Sequence, residues 1–198
     1  MKEPFIRKQY ENYGAYLDHQ KSKLNDGISF LERYSKTYKK MLLHLMDRST
    51  LDFVGMHALC LGARQGTEVE AFIESGACAV GIDVNPGPNN RFVLLGDASD
   101  IQFPDHSFDI VYTNAMDHFL RINAVLSETK RVLKQRGYFM FLIGSPEDAK
   151  KDKHGSTYWE SIPEVLKYIE ERYGFRVVQS GDISDTKWFD QFVLMRLK

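Results

Sequence analysis

Apolar positions recur along this chain with two different periods. Between about Phe5 and Leu24, Tyr10, Tyr13, Leu17 and Leu24 fall three, four and seven residues apart, and Ile28, Leu31, Tyr34, Tyr38, Leu42 and Leu45 repeat at three and four. The spacing predicts two N-terminal helices interrupted at Asn25, Asp26 and Gly27. Beyond a linker starting at Arg48, Ser49 and Thr50 the pattern shortens. Apolar runs at about Met56–Leu61, Cys78–Asp83, Phe92–Leu95, Phe108–Thr113 and Tyr138–Ile143 read as strands. Between them, Thr67–Ser75 reads as a helix burying Val69, Phe72 and Ile73, and Ile122–Leu133 as one burying Ile122, Val125, Leu126 and Val132. The charged stretch Ser145–Ser156 has no apolar period and predicts a mobile surface loop. A helix over Tyr158–Tyr173 follows, then strands at Phe175–Gln179 and Trp188–Leu197 that can pair as an antiparallel hairpin. Alternation of strand and helix predicts an α/β sheet with helices on both faces.

Length divides this pattern into residues 1–50, a helical cover, and 51–198, one sheet-based domain. The two N-terminal helices are expected to lean on the sheet edge or lie across its cleft. With 43% hydrophobic and 27% charged residues the chain belongs with folded globular domains rather than disordered ones. A net charge of −1 and no run of five like charges give no pull toward nucleic acid or anionic membrane. The first 50 residues hold ten Lys/Arg against six Asp/Glu, an asymmetry that solvated helix faces explain. Cys60 and Cys78 lie in apolar runs and are expected as buried, reduced thiols. The N-terminus lacks the apolar core of a signal peptide and no window has the about 18 apolar residues of a membrane span, so a cytoplasmic location is expected.

Chemistry concentrates in Ala58–Asp83: strand, a turn through Gly62, Ala63, Arg64, Gln65 and Gly66, helix, strand, acid. Such a βαβ unit offers backbone N–H groups at a helix N-terminus and a carboxylate that can accept from ribose hydroxyls, which suits a nucleoside-containing cofactor.

Four segments carry a family resemblance: LCLGARQGT from Leu59, GID from Gly81, GDASDIQFPDHSFDIVYTN from Gly96 and LKQRGYFMF from Leu133. In this order and spacing the chain resembles the class I S-adenosylmethionine-dependent methyltransferases, in particular the ubiquinone-biosynthesis-type (methyltransferase type 11) small-molecule branch. The resemblance implies a Rossmann-like, seven-stranded, mostly parallel sheet with an antiparallel last strand and two extra N-terminal helices. It implies S-adenosyl-L-methionine as cofactor and a small-molecule acceptor methylated on oxygen or nitrogen. Gly62, Ala63, Arg64 and Gly66 would run beside its methionine part, Asp83 would bind the ribose hydroxyls, and Asp97 and the Ala98 N–H would meet the adenine. Asn114 would close over the methionyl group. Two positions depart from the family. Cys60 stands where an acid is usual, with Glu68 a candidate to restore the charge, and Arg64 replaces a glycine, either folding outward or pairing with the cofactor carboxylate.

Each assignment has a plainer rival. Gly62 and Gly66 relieve packing or approach a cofactor; Asp83 and Asp97 cap turns or bind the nucleoside. His118 is a structural histidine or a base with a pKa suited to neutral pH, and Asp117 orients it, acts as base itself, or caps a helix. His154 reaches substrate on loop closure or does not, and the tyrosine stripe lines a pocket or packs. The histidines are scattered with no metal-ligand spacing, so no metal is expected, and no nucleophile elbow or phosphate loop occurs. Beside methyl transfer stand a non-catalytic methyltransferase-like binding protein and a nicotinamide-dependent oxidoreductase; the latter is disfavoured because the turn lacks GxGxxG spacing.

Overall fold

The structure, a computed structural model, describes residues 2–22, 28–186 and 189–198, and the side chains of 28–34 lie outside that description. The expected break at Asn25 to Gly27, the placement of Leu24 and Trp188, and the side chains of Ile28, Leu31 and Tyr34 therefore lie outside the described residues. In chain order the elements are β1 (Phe5–Arg7), α1 (Tyr13–Ser22), α2 (Ile28–Asp47), β2 (His57–Leu61), α3 (Thr67–Glu74), β3 (Cys78–Asp83), β4 (Val93–Leu95), β5 (Phe108–Thr113), α4 (Ile122–Val132), β6 (Leu133–Ile143), α5 (Pro146–Lys151), β7 (Thr157–Trp159), α6 (Ile162–Tyr173), β8 (Phe175–Asp182) and β9 (Gln191–Leu197). Single 3-10 turns occupy Met116–His118 and Ser184–Thr186.

Seven strands make one sheet in the order β4, β3, β2, β5, β6, β9, β8. β2 is parallel to both β3 and β5, β6 continues the parallel set, and β9 runs antiparallel to β6 and β8. The expected Rossmann-like sheet is thus present, with its antiparallel strand inserted last. Its central strand explains why the pattern of β2 does not alternate. Ala58, Leu59, Cys60 and Leu61 are all fully buried, because helices cover both faces. On one face α4 and α6 bring Ile122, Leu126, Val165 and Ile169 against Phe139 and Phe141. On the other, α2 and α3 bring Tyr38, Leu42 and Phe72 against Tyr112 and Met140.

Several expectations are corrected. The stretch at Phe5–Arg7 is a strand, not the start of a helix, and pairs antiparallel with β7 through Phe5 and Trp159. Ser145–Ser156 is not an unstructured loop: the Ser145 side chain accepts from the Asp148 N–H at 3.1 Å, Pro146 and two acids occupy the first turn, and α5 follows. α6 starts at Ile162, capped by Ser161, because Tyr158 and Trp159 are committed to β7. β6 begins at Leu133, earlier than its apolar run, since Leu133 already pairs with Phe108. Arg136, at φ +61°, and Gly137 sit in its irregular stretch, where a Cβ on Gly137 would come within 2.9 Å of the Lys134 carbonyl. Ile73 is 42% exposed rather than buried, and Cys78 is exposed while Cys60 is buried. Ile73 falls on the outer side of a helix only eight residues long, and Cys78 opens β3 at its solvent end.

Candidate active site

Strand order reverses at β2, whose neighbours β3 and β5 lead the chain to opposite sides, and open α/β sheets bind ligands at the carboxyl ends beside such a point. Two adjoining cavities lie there, sharing Gly62, Arg64, Ala115 and His118.

The turn leaving β2 makes the close approach possible. Gly62 has φ +69°, and a Cβ on it would come within 3.0 Å of the Ala115 Cβ, so strand, turn and the segment after β5 meet there only through glycine. Gly62 and Ala63 donate their N–H groups to the Ile82 carbonyl at 2.9 and 3.1 Å. Arg64 takes φ +40°, uncommon for a side-chain-bearing residue, and its N–H donates to Asp83 Oδ2 at 3.0 Å. Asp83 Oδ1 accepts the Asn85 N–H at 2.7 Å. Both carboxylate oxygens are oriented by backbone yet keep lone pairs for further donors.

The first cavity is bounded by Asp83, Asp97 and Ala98 and, on its outer side, by Tyr16 and Gln20 of α1. Asp97 Oδ1 accepts from the N–H and hydroxyl of Ser99, both at 2.8 Å, and Oδ2 accepts from the Tyr13 hydroxyl at 2.6 Å. Burial, reinforced by the Asp97 bond, pushes Tyr13 up to about 12, so it is a phenol that donates at neutral pH. The Arg121 guanidinium lies 3.5 Å over the Tyr13 ring. The Tyr16 hydroxyl donates to the His118 carbonyl at 3.1 Å. α1 therefore lies across the cleft, whereas α2 packs with α3 on one face of the sheet rather than leaning on its edge. Of the tyrosine stripe, Tyr16 borders the first cavity and Tyr13 reaches its wall at Asp97, whereas Tyr38 is 1% exposed in the core and reaches the second cavity.

The second cavity is bounded by Ala63, Arg64, Glu68, Asn114, Asp117 and His118 among others. Glu68 is only 5% exposed. Its carboxyl rises from the ordinary 4.5 to about 8, chiefly by burial; its own N–H, Asp83 and Arg64 act in smaller and opposing ways. Cys60, beneath it, is raised well above its ordinary value by burial and then by Glu68, and stays a thiol. Of the residues expected to hold the cofactor, Gly66 alone borders neither cavity: at φ +85° it caps α3, and a Cβ would meet Val93 at 3.1 Å and Phe92 at 3.3 Å, a packing role.

Asp117 and His118 sit on the 3-10 turn after β5, held by the Thr113 hydroxyl, which donates to the Leu61 carbonyl and accepts the Ala115 N–H, both at 3.0 Å. His118 Nδ1 lies 4.0 Å from Asp117 Oδ2 and 3.9 Å from Asp152 Oδ2. Sequence spacing offered no metal-ligand set, yet the fold gathers these three because Asp152 arrives from the end of α5. His154 borders neither cavity: its ring stacks on His19 at 6.2 Å, and its carbonyl accepts from Gln20 Nε2 at 3.4 Å.

The family described as "Methyltransferase domain" matches residues 59–141, the stretch from β2 through most of β6 that carries this cleft. Residues 59–141 thus match a methyltransferase domain. Among curated proteins, the demethylmenaquinone methyltransferase of Symbiobacterium thermophilum is 30% identical over 117 residues, 57% of this chain and 47% of that protein. The fatty-acid O-methyltransferase of Mycolicibacterium smegmatis is 40% identical over 54 residues, 27% and 20% of the two lengths. The chain thus spans about half or less of the length of the curated relatives it matches. Among solved structures, 1,6-didemethyltoxoflavin-N1-methyltransferase of Burkholderia thailandensis, with 1,6-didemethyltoxoflavin and S-adenosylhomocysteine bound, aligns at a TM-score of 0.69 with 16% identity, covering 98% of this chain and 95% of that one. This likeness extends the methyltransferase fold over the N-terminal elements as well. No helix among the described residues is long and apolar enough to cross a membrane.

Proposed function

We propose that this chain binds S-adenosyl-L-methionine and transfers its methyl group to oxygen or nitrogen of a small molecule. The observation that carries the reading is the alignment, along one cleft at the switch point, of donors and acceptors matched in order to the parts of that cofactor. Asp97 and the Ala98 N–H meet the adenine, Asp83 the ribose hydroxyls, and the Gly62 turn with Ala63, Arg64 and Asn114 the methionyl group. Glu68 takes the ammonium in place of the acid that Cys60 lacks, and Arg64 pairs with the carboxylate. The sulfonium supplies an electrophilic methyl, so the protein's tasks are alignment, exclusion of water and removal of the acceptor's proton. Asp117 and His118, on the wall beyond the methionyl end, carry that last task. Within residues 1–50, α1 acts as the cover by closing the nucleoside end of the cleft.

The reading is tested by calorimetric titration with S-adenosylhomocysteine and with NAD, followed by a methyl-release assay over a metabolite panel. Micromolar binding of S-adenosylhomocysteine is expected. Binding of NAD alone overturns the reading, and binding of neither leaves the non-catalytic alternative. The small-molecule character of the acceptor is supported by relatives named for demethylmenaquinone and for a fatty acid, and by a solved neighbour of the same fold holding 1,6-didemethyltoxoflavin.

A further inference from the structure

We infer that Asp117, His118 and Asp152 form a divalent-cation site on the acceptor wall of the cleft. One ligand atom from each, two carboxylate oxygens and an imidazole nitrogen, lie within 4.8 Å of one another. The two contacts of His118 Nδ1, at 3.9 and 4.0 Å, are at ion-pair distance, so the two carboxylates converge on one imidazole. Ligands held about 2.1 Å from one ion lie roughly 3 to 4 Å apart, and side-chain shifts of about 1 Å bring the set to that spacing. All three side chains are a quarter to a third exposed, so an ion enters from solvent.

The backbone already fixes the arrangement. The Asp117 carbonyl accepts the Ser156 N–H at 2.7 Å, tying the turn after β5 to the segment after α5. Asp152 Oδ1 accepts the His154 N–H at 2.9 Å, which leaves Oδ2 as the oxygen nearest His118. The Asp152 carbonyl in turn accepts from Lys8 Nζ. Two carboxylates with one imidazole and no sulfur suit a first-row divalent ion of the manganese type, with the remaining positions open to water or substrate. Asp117 also borders a third cavity together with Asp152, so those open positions face the space beside the cleft.

The chemical role rests on the proposed methyl transfer, whereas the binding does not. A hydroxyl acceptor coordinated to the ion loses its proton to water. Its oxygen then bonds to the methyl carbon as the carbon–sulfur bond breaks, and S-adenosylhomocysteine leaves with the electron pair. The task assigned to Asp117 and His118 is thereby carried out through the ion they hold.

The test titrates manganese(II) into the full chain, follows the free ion by electron paramagnetic resonance, and measures S-adenosylhomocysteine binding on the same samples. One ion per chain is expected, with imidazole nitrogen modulation in the pulsed spectrum, and Asp152→Asn and His118→Gln each weaken it by at least about tenfold. No binding by the wild type at about 1 mM, or equal affinity in wild type and both variants, overturns the site. Should either variant fail to fold, the nitrogen modulation of the wild type decides: its absence overturns the proposal. Manganese bound without S-adenosylhomocysteine leaves the ion site standing and removes the cofactor reading; the reverse result removes the ion site alone.

Discussion

Glu68→Gln is the most searching perturbation, because one carboxyl is assigned both a cost to the free protein and a gain to the complex. In the free protein burial raises the group from 4.5 to about 8. Between those values the folded chain holds a proton that the unfolded chain has released, so the unfolded state binds fewer protons and stability falls as pH rises, levelling off above 8. The shift of about 3.5 units corresponds to roughly 5 kcal/mol as an upper bound. Glutamine has nearly the same shape and no charge, so Glu68→Gln is expected to be the more stable protein at pH 8.5 and to match wild type near pH 4.5. Cofactor binding reverses the ranking. An ammonium against ionised Glu68 contributes about 1.5 to 3 kcal/mol, or roughly 10- to 150-fold in affinity, above pH 8. At pH 7 the wild type must first lose its proton at a cost of about 1.4 kcal/mol, and at pH 6 twice that, so the two proteins converge. Calorimetry with S-adenosylhomocysteine from pH 6 to 8.5, beside thermal unfolding of the free proteins, reads both halves. A wild-type affinity flat across that range, or an unchanged affinity in Glu68→Gln at pH 8.5, refutes the assignment.

The other expectations divide along the cleft. Asp83→Ala removes the acceptor for the ribose hydroxyls and also frees the Arg64 and Asn85 N–H groups, so S-adenosylhomocysteine affinity should fall by at least about 30-fold; an unchanged dissociation constant places the cofactor elsewhere. Tyr13→Phe releases Asp97 Oδ2 from α1, and if the adenine amino group takes the same oxygen the affinity rises several-fold, worth about 1 kcal/mol. A fall in affinity instead makes Tyr13 part of the binding site. Arg131→Ala removes a guanidinium that donates to the Ile101 and Phe103 carbonyls and pairs with Asp105 and Glu128, so it should cost about 2 kcal/mol in thermal unfolding and loosen the segment that presents Asp97.

Period and punctuation carried the sheet, since a run such as Ala58–Leu61 buried on both faces is legible in the residues alone. They failed where a short element is defined by its partner. Phe5–Arg7 is too brief to show a period of two and becomes a strand through β7, across most of the chain. α5 was within reach, because Ser145, Pro146, Glu147 and Asp148 are a cap, a proline and two acids in the places a helix start requires. Its small apolar content hid it from a search for stripes. The places of Asp83 and Asp97 were readable because one ends β3 and the other follows β4, but the Tyr13 hydroxyl on Asp97 was not, since nothing local says which way a tyrosine on an exposed helix will point.

The exchange proposed between Cys60 and Glu68 marks the same limit from the other side. A motif compares residues at fixed separations, so a thiol at the end of β2 registers as a lost charge. In space α3 packs beside β2, and the Glu68 carboxyl in its first turn borders the second cavity while Cys60 stays buried behind it. The move has a physical consequence. A carboxylate at a strand end, open to the cleft, keeps a low pKa, whereas Glu68 sits under the turn, is raised to about 8 and is largely protonated at pH 7. Binding an ammonium then requires releasing a proton, which ties cofactor affinity to pH across the neutral range. Residue 60 is fully buried as well, so an acid placed there instead is raised by burial in the same direction, and it restores cofactor affinity only if it reaches the ammonium. Cys60→Asp combined with Glu68→Gln therefore separates where the charge stands from whether it is present.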